Sequence, residues 1–448
     1  MPTAAKLEAV RRLIAVAPDA ALRSLSAALT ETGPDLYEVR TLIADEQAAR
    51  TLRDAVLSPI LPLLAPRADG LPAPCFSAAV VREAWRRVQE TRTDEVHAAH
   101  RDIDLWDPQL DPTPRTFDAL ALAVAAAVEA DASAGFVGAD GGASARELAI
   151  YLKLTPLARK ALLRLNEWLG RATEERAAVL RLIFKDATEV APDSAPRLMT
   201  LIQAHLPEAW LILRPISLLT ERAGDRYLAS SELACFGEQL LTEVERRVGA
   251  LRAFDLRGGA QAAREAAAHV ALASAILAEL EHSVDLARDG PWGRRAAAAR
   301  TAMAAMIESR LREAQKMVEQ ALPMQAVRLT GRMTRPAPRV DAPPDPRLVE
   351  PARALLTLLG ETRQAAASGG FGALRSQVAE TLSDWLEVYA DELVHLLNAG
   401  EARDPGVAHQ YLEIAAEFLS CAENDKAAQI VRRRAAVAGA GQPSQDVA

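Results

Sequence analysis

The sequence predicts an all-α protein built as multi-helix bundles or an irregular array of helical hairpins, with about fifteen helices. Three observations carry this expectation. Alanine occurs 93 times in 448 residues, and with Leu, Arg and Glu it supplies side chains that lose little freedom in a helix. β-branched residues never gather into alternating runs, so no strand is expected. Apolar residues recur instead at spacings of three and four, between legible helix starts and stops.

The N-terminal stretch carries Glu8, Arg11 and Arg12 among its apolar residues, and its longest apolar run, Leu13 to Ala17, is too short for the core of a signal peptide. Pro34, Asp35 and Glu38 mark a helix start. Residues 101–116 hold three prolines and four aspartates and read as a joint. The longest apolar stretch, Ala119 to Val128, is half the roughly 18 to 20 residues that a membrane span needs. Residues 131–143, rich in Gly and Ala, read as a second joint. Ser144 and Glu147 have the spacing of a capping box, in which each side chain satisfies an orphan backbone N–H.

Further along, Gly290-Pro291 reads as the close of a helix with Arg288 in its last turn. Met303, Ile307, Leu311, Ala314, Val318 and Ala321 then form one continuous stripe, with Glu308 and Arg312 paired on its flank. Residues 323–351 hold seven prolines and read as a mobile linker, because proline on that scale is not expected inside helices. Residues 405–420 and 423–437 pass for one irregular helical repeat, and one pair does not make an array. No repeat of fixed period is visible. The domain scheme that follows is 1–112, 113–322, the linker 323–351, 352–438, and an unstructured tail at 439–448.

Charge and cysteine content exclude several classes. Fifty-two Lys and Arg against 60 Asp and Glu leave a net charge of −8, which argues against coating nucleic acid non-specifically. Three cysteines, Cys75, Cys235 and Cys421, are too few and too scattered for a disulfide framework or a Cys-rich zinc module. Of the basic residues 46 are Arg and six are Lys. With the alanine excess, this reads as the coding bias of a GC-rich bacterial genome and carries no functional weight.

Three constellations could carry chemistry. Glu279/His282 and Glu392/His395 have the Glu-x-x-His spacing of di-iron bundles, with Glu245 and Glu361 as facing carboxylates. At about 100° per residue, Glu279 falls roughly 110° from the apolar face of its helix and His282 nearly opposite it. Glu361 is opposite its own stripe and His395 turns away, so these read as solvated faces. His97 and His100, followed by Asp102, Asp104, Asp107 and Asp111, miss the calcium-loop pattern because Trp106 takes a ligand position. His269 reads as a satisfied core histidine. No phosphate loop, nucleophile elbow or His-Glu-x-x-His occurs.

The remaining constellation runs from Ser144 to Arg171. A first helix through Leu148, Ala149 and Leu152, a turn at Lys153-Leu154-Thr155 and a second helix from Pro156 resemble a helix-turn-helix. Six cations (Arg146, Lys153, Arg159, Lys160, Arg164 and Arg171) against Glu147 and Glu167 give it a charge of +4. The resemblance implies a second helix in a major groove, with Lys153, Arg159, Lys160 and Arg164 as DNA contacts. It departs from the motif in having Lys153 for the turn glycine and Arg159 where an aliphatic residue is usual. The DNA reading requires Arg159 and Lys160 to be exposed on one face.

The leading expectation is a cytoplasmic, non-catalytic helical interaction or scaffold protein that binds other proteins, without cofactor or metal. Within the linker, Arg328, Arg332, Arg335 and Arg339 are its candidate contacts for an acidic partner. The alternative is a DNA-binding regulator using 144–171, and a third reading is a helical metalloenzyme. Oligomeric state is left open.

Overall fold

The computed structural model describes residues 4–30, 36–107, 112–133, 139–170, 173–220, 224–328 and 334–438. Helix takes up 78% of the structure, with 21 helices of which 18 have seven residues or more, so the all-α class holds. The chain divides into two compact units, Met1–Glu221 and Arg222–Ala448. The boundaries drawn from the sequence at 112/113 and 322/323 both fall inside a unit.

The first unit contains α1 (Ala4–Val16), α2 (Asp19–Thr30), α3 (Tyr37–Val56), α4 (Ala78–Thr91), α5 (Thr93–Leu105), α6 (Arg115–Ser133), α7 (Ala139–Lys153), α8 (Thr155–Leu162), α9 (Leu165–Leu169), α10 (Glu174–Thr188), α11 (Ser194–Ala204) and α12 (Leu213–Leu219). Its centre is α6, against which α3, α4, α5, α7 and α8 pack. The apolar stretch of α6 explains this: Phe117, Leu120, Ala121, Val124, Ala125 and Val128 are wholly buried, and a helix apolar over most of its girth is stable only with neighbours on several sides. Two sequence expectations are corrected here. Helix α7 begins at Ala139, so Ser144 lies inside it and caps nothing, and part of the expected joint 131–143 is helical. The joint 101–116 is likewise narrowed, because α5 runs on to Leu105.

The second unit contains α13 (Asp225–Leu228), α14 (Ala234–Ala250), α15 (Gly259–Ser283), α16 (Pro291–Ala321), strands β1 (Met324–Arg328) and β2 (Thr334–Pro338), α17 (Pro346–Glu361), α18 (Ala366–Gly369), α19 (Gly372–Asn398), α20 (Pro405–Cys421) and α21 (Asp425–Val437). The stripe on α16 is buried as expected, from Met303 to Ala321, and Arg312 pairs with Glu308 at 2.9 Å. Helices α20 and α21, the pair read as one irregular repeat, pack against each other. Gly290-Pro291, however, opens α16 and closes nothing. The buried carboxylate of Asp225 accepts the Gly293 N–H at 3.2 Å, at the positive end of that long helix. A Cβ on Gly290 would lie 1.9 Å from the same carboxylate, so glycine is required there.

Residues 323–351 are the largest correction. The described part of this stretch is an antiparallel hairpin, β1 with β2, followed by the start of α17. Pro346 takes the first helical position, where its missing N–H costs nothing. Pro351 lies inside α17 and forfeits one helical hydrogen bond. Offsetting that loss, every residue from Ala354 to Leu359 is buried, because α15, α16 and α20 all pack on α17. Among the described residues, no helix is long and apolar enough to cross a membrane.

Candidate functional site

The four candidate contacts Lys153, Arg159, Lys160 and Arg164 do not stand exposed together on one helix. Helix α8 ends at Leu162, so the expected long second helix is broken into α8 and α9. Arg159 is buried at 7% exposure. Its guanidinium donates to the carbonyls of Val56 at 2.6 Å and Ala55 at 3.0 Å, lies 3.2 Å from Asp118, and stacks over the Phe117 ring. Arg159 therefore closes the carbonyl end of α3, where a cation suits the helix dipole. Burial pushes its pKa down, and Asp118 opposes that. Lys153 pairs with Glu129 at 2.9 Å and Arg164 with Glu167 at 3.6 Å. Lys160 is exposed as expected, and Arg171 lies outside the described residues. Arg146 and Arg164 are exposed as well, but the requirement that Arg159 and Lys160 be exposed on one face fails at Arg159.

The carboxylate and histidine constellations do not converge either. Among the described residues, no three His, Cys, Asp or Glu side chains are placed to hold a metal. Glu245 is paired with Arg295 at 2.7 Å and is exposed, as are Glu361, His282 and His395. Glu279 departs from expectation: it is buried, and accepts from Ser283 Oγ at 2.6 Å. Helix α15 has neighbours on several sides, α14 and α17 foremost, so its alanine-rich flank is covered as well as its main stripe. His97 is exposed, Asp102 accepts from Thr116 at 2.6 Å, and Asp111 lies outside the described residues. His269 is half-buried and accepts from Arg247 at 3.2 Å, which also keeps its pKa low alongside burial. Burial raises the Cys421 thiol pKa, which leaves it a poor nucleophile. Of the linker arginines, Arg335 faces Glu392 at 3.8 Å and Arg339 is exposed. The side chain of Arg328 and the whole of Arg332 lie outside the described residues.

What the fold does build is a groove in the first unit. Helices α1 and α2 pack on α3 through a small core of their own, Ile14, Leu22, Leu29 and Ile43. Arg50 on α3 locks them in place. It donates to the carbonyls of Ile14 at 2.9 Å, Ala15 at 3.2 Å and Ala17 at 2.7 Å, and pairs with Asp19 at 2.6 Å and Glu46 at 2.7 Å. One guanidinium thus closes the end of α1 and holds the first residue of α2. Its hydrogen bond keeps the Asp19 carboxyl below the usual range.

Beyond Arg50 this hairpin does not close onto α4. A cavity of about 450 Å³ remains, lined on the apolar side by Val16, Leu61 and Leu64, with the buried Leu57 and Val81, and on the polar side by Asp19, Arg50, Arg53, Asp54 and Arg82. A second lobe of about 340 Å³ shares Val16, Arg53 and Arg82 and continues along α4 past Trp85 to Gln89. From Ala78 to Gln89 is about 16 Å of helix at 1.5 Å per residue. Arg53 is already paired with Asp54 at 2.7 Å, and Arg86 with Glu83. Arg82 has no ion-pair partner among the described residues. Val16 is 80% exposed and Leu13 68% exposed, although Ile14 between them is buried, so α1 carries a second apolar face that the fold does not cover.

Sequence reasoning missed this groove. A signal existed in α1, where Ala9, Leu13 and Val16 form a stripe distinct from the one that buries Ile14. Arg50 had none, because its acceptors are backbone carbonyls 33 to 36 residues away. Comparison with protein-family models, with curated proteins and with solved structures returned no match.

Proposed function

We propose that this chain is a non-catalytic helical interaction protein whose first unit receives an amphipathic helix of a protein partner in the groove between α1, α3 and α4. The observation that supports it most is an accessible apolar wall with one cation that has no ion-pair partner among the described residues: Val16, Leu61 and Leu64 beside Arg82. An apolar trough of this kind is how helices are commonly bound, through anchors at i, i+3, i+4 and i+7. Each well-buried aliphatic anchor contributes about 1.5–3 kcal/mol. A rim ion pair to Arg82 adds about 0.2–1 kcal/mol and mainly sets orientation. The partner helix therefore carries three or four apolar residues on one face and a carboxylate at its edge.

The test is quantitative affinity capture of the tagged protein from its own cell extract after nuclease treatment, comparing wild type with Arg82→Glu and Val16→Glu. Both positions are at the surface, so melting temperature should stay within a degree or two of wild type. The expected result is a protein partner that survives nuclease and is lost from both variants. Capture of nucleic acid alone, or a partner held equally by wild type and variants, would contradict the proposal.

A further inference from the structure

The groove of the first unit continues past Arg50 into a third lobe. That lobe has a volume of about 240 Å³, is walled by Arg23 on α2 and by Gln47 and Thr51 on α3, and shares Asp19, Arg50 and Asp54 with the first lobe. The two ends differ in chemistry. Val16, Leu61 and Leu64 give the first lobe accessible apolar surface, while the third is polar. Charge along the groove is unbalanced once its internal pairs are set aside. Four carboxylates line the three lobes, and each is answered: Asp19 and Glu46 by Arg50, Asp54 by Arg53 and Glu83 by Arg86. Two cations are left over. Arg82 and Arg23 are both exposed, and neither has an ion pair or a hydrogen bond among the described residues. Asp19, one turn before Arg23 on α2, feels its charge but accepts its hydrogen bond from Arg50.

We infer that the helix received by this groove is acidic: apolar anchors on Val16, Leu61 and Leu64, one carboxylate at Arg82 and a second at Arg23 in the polar lobe. This deepens the reading of the groove as a helix-binding site and rests on it. The apolar lobe supplies attachment, and the two unanswered cations supply selection. A helix edged with lysine sets like charges against both, which is how interfaces turn away wrong partners. An acidic edge meets only carboxylates that are already paired. The Gln47 side chain beside Arg23 offers an amide N–H to the second carboxylate.

The probes are two fluorescein-labelled helical peptides about five turns long, with leucine repeated at i, i+3, i+4 and i+7 and the flanking positions filled by Glu in one and by Lys in the other. Each is titrated with the full-length protein and read by anisotropy. The Glu peptide is expected to bind at least tenfold more tightly than the Lys peptide, and the preference should shrink at high salt, because rim pairs are screened. Arg23→Glu and Arg82→Glu should each weaken the Glu peptide at least threefold and strengthen the Lys peptide, and together they should reverse the preference. Both side chains are exposed, so melting should stay within a degree or two of wild type. Val16→Asn removes an apolar anchor without adding charge and should weaken both peptides at least threefold. That variant separates the two readings. If Val16→Asn weakens binding but the wild type holds the Glu and Lys peptides equally, or neither arginine matters, the acidic partner is overturned and the groove stands. Equal binding by Val16→Asn and wild type removes the groove and the inference with it. No saturable binding of the Glu peptide to the wild type also overturns the inference.

Discussion

Arg50 and Arg159 each reach across to the carbonyl end of a helix, one at the margin of the first unit and the other within its core. Arg50 closes α1, and Arg159 closes α3. Their surroundings differ. Arg50 is answered by two carboxylates, Asp19 and Glu46, of which Asp19 is half exposed. Arg159 is itself buried, between Val56 and the Phe117 ring, and is answered by one carboxylate, Asp118, whose side chain is 32% exposed. Removing the first lets water reach the carbonyls it leaves behind. Removing the second strands the buried Val56 carbonyl inside the protein. The same interaction is therefore a latch in one place and part of the core in the other, and the groove proposed for partner binding borders the latch.

The largest effect should come from Arg159→Ala. Removing the guanidinium leaves the buried Val56 carbonyl unsatisfied, at a cost of about 1–3 kcal/mol, and forfeits its packing on Phe117, so denaturant unfolding of the first unit should show a loss at or above that scale. A loss below about 1 kcal/mol would mean that Arg159 is not part of the core. Arg50→Ala is smaller: a cation at a helix carbonyl end and its hydrogen bonds contribute about 1–2 kcal/mol. That loss should be confined to α1 and α2 and appear as local opening, with global unfolding little changed.

The smallest effect is a dependence on pH. His205, at the end of α11, holds its Nε2 2.9 Å from the Pro59 carbonyl, so Nε2 carries a proton. Burial lowers its pKa from the ordinary 6.5. The unfolded chain then binds this proton more readily than the folded one. Stability contributed by the neutral ring is full above pH 6.5 and is lost as pH falls below it toward the depressed folded value. His205→Gln keeps a donor and should flatten this part of the stability profile, as followed by thermal melts. Melts that are unchanged in slope would remove His205 as the cause.

Much of the helix pattern was legible in the sequence because it depends on neighbours in the chain. The stripe of α16 from Met303 to Ala321, the Glu308–Arg312 pair and the α20–α21 helix pair are all local in this sense. The β-hairpin was not legible: its strands are five residues long, and β2 carries Pro336 and Pro338, which read as linker until the register shows that neither proline is asked for a ladder bond. The candidate site was not legible either, because arginines were read as charge while the fold uses many of them as donors. Arg50, Arg159, Arg214 at the Leu169 carbonyl and Arg375 at the Leu359 carbonyl all serve helix ends or the loops after them. Their acceptors are distant in sequence and have no side-chain signature. A lysine offers a point charge where these sites use a planar fork, so the excess of Arg over Lys has a structural use that a codon argument misses. Charge summed over 144–171 failed for the same reason: three of its cations are spent on Glu129, Asp118 and Glu167.

The most direct test of this contrast is amide hydrogen exchange of the full-length protein, read helix by helix for wild type and Arg50→Ala. The account predicts that α6 exchanges only through global unfolding while α1 and α2 exchange through a cheaper local opening. It also predicts that Arg50→Ala speeds exchange in α1 and α2 by at least tenfold and leaves α6 unchanged. Equal protection of α1 and α6 in the wild type, or a uniform acceleration of both in Arg50→Ala, would contradict it.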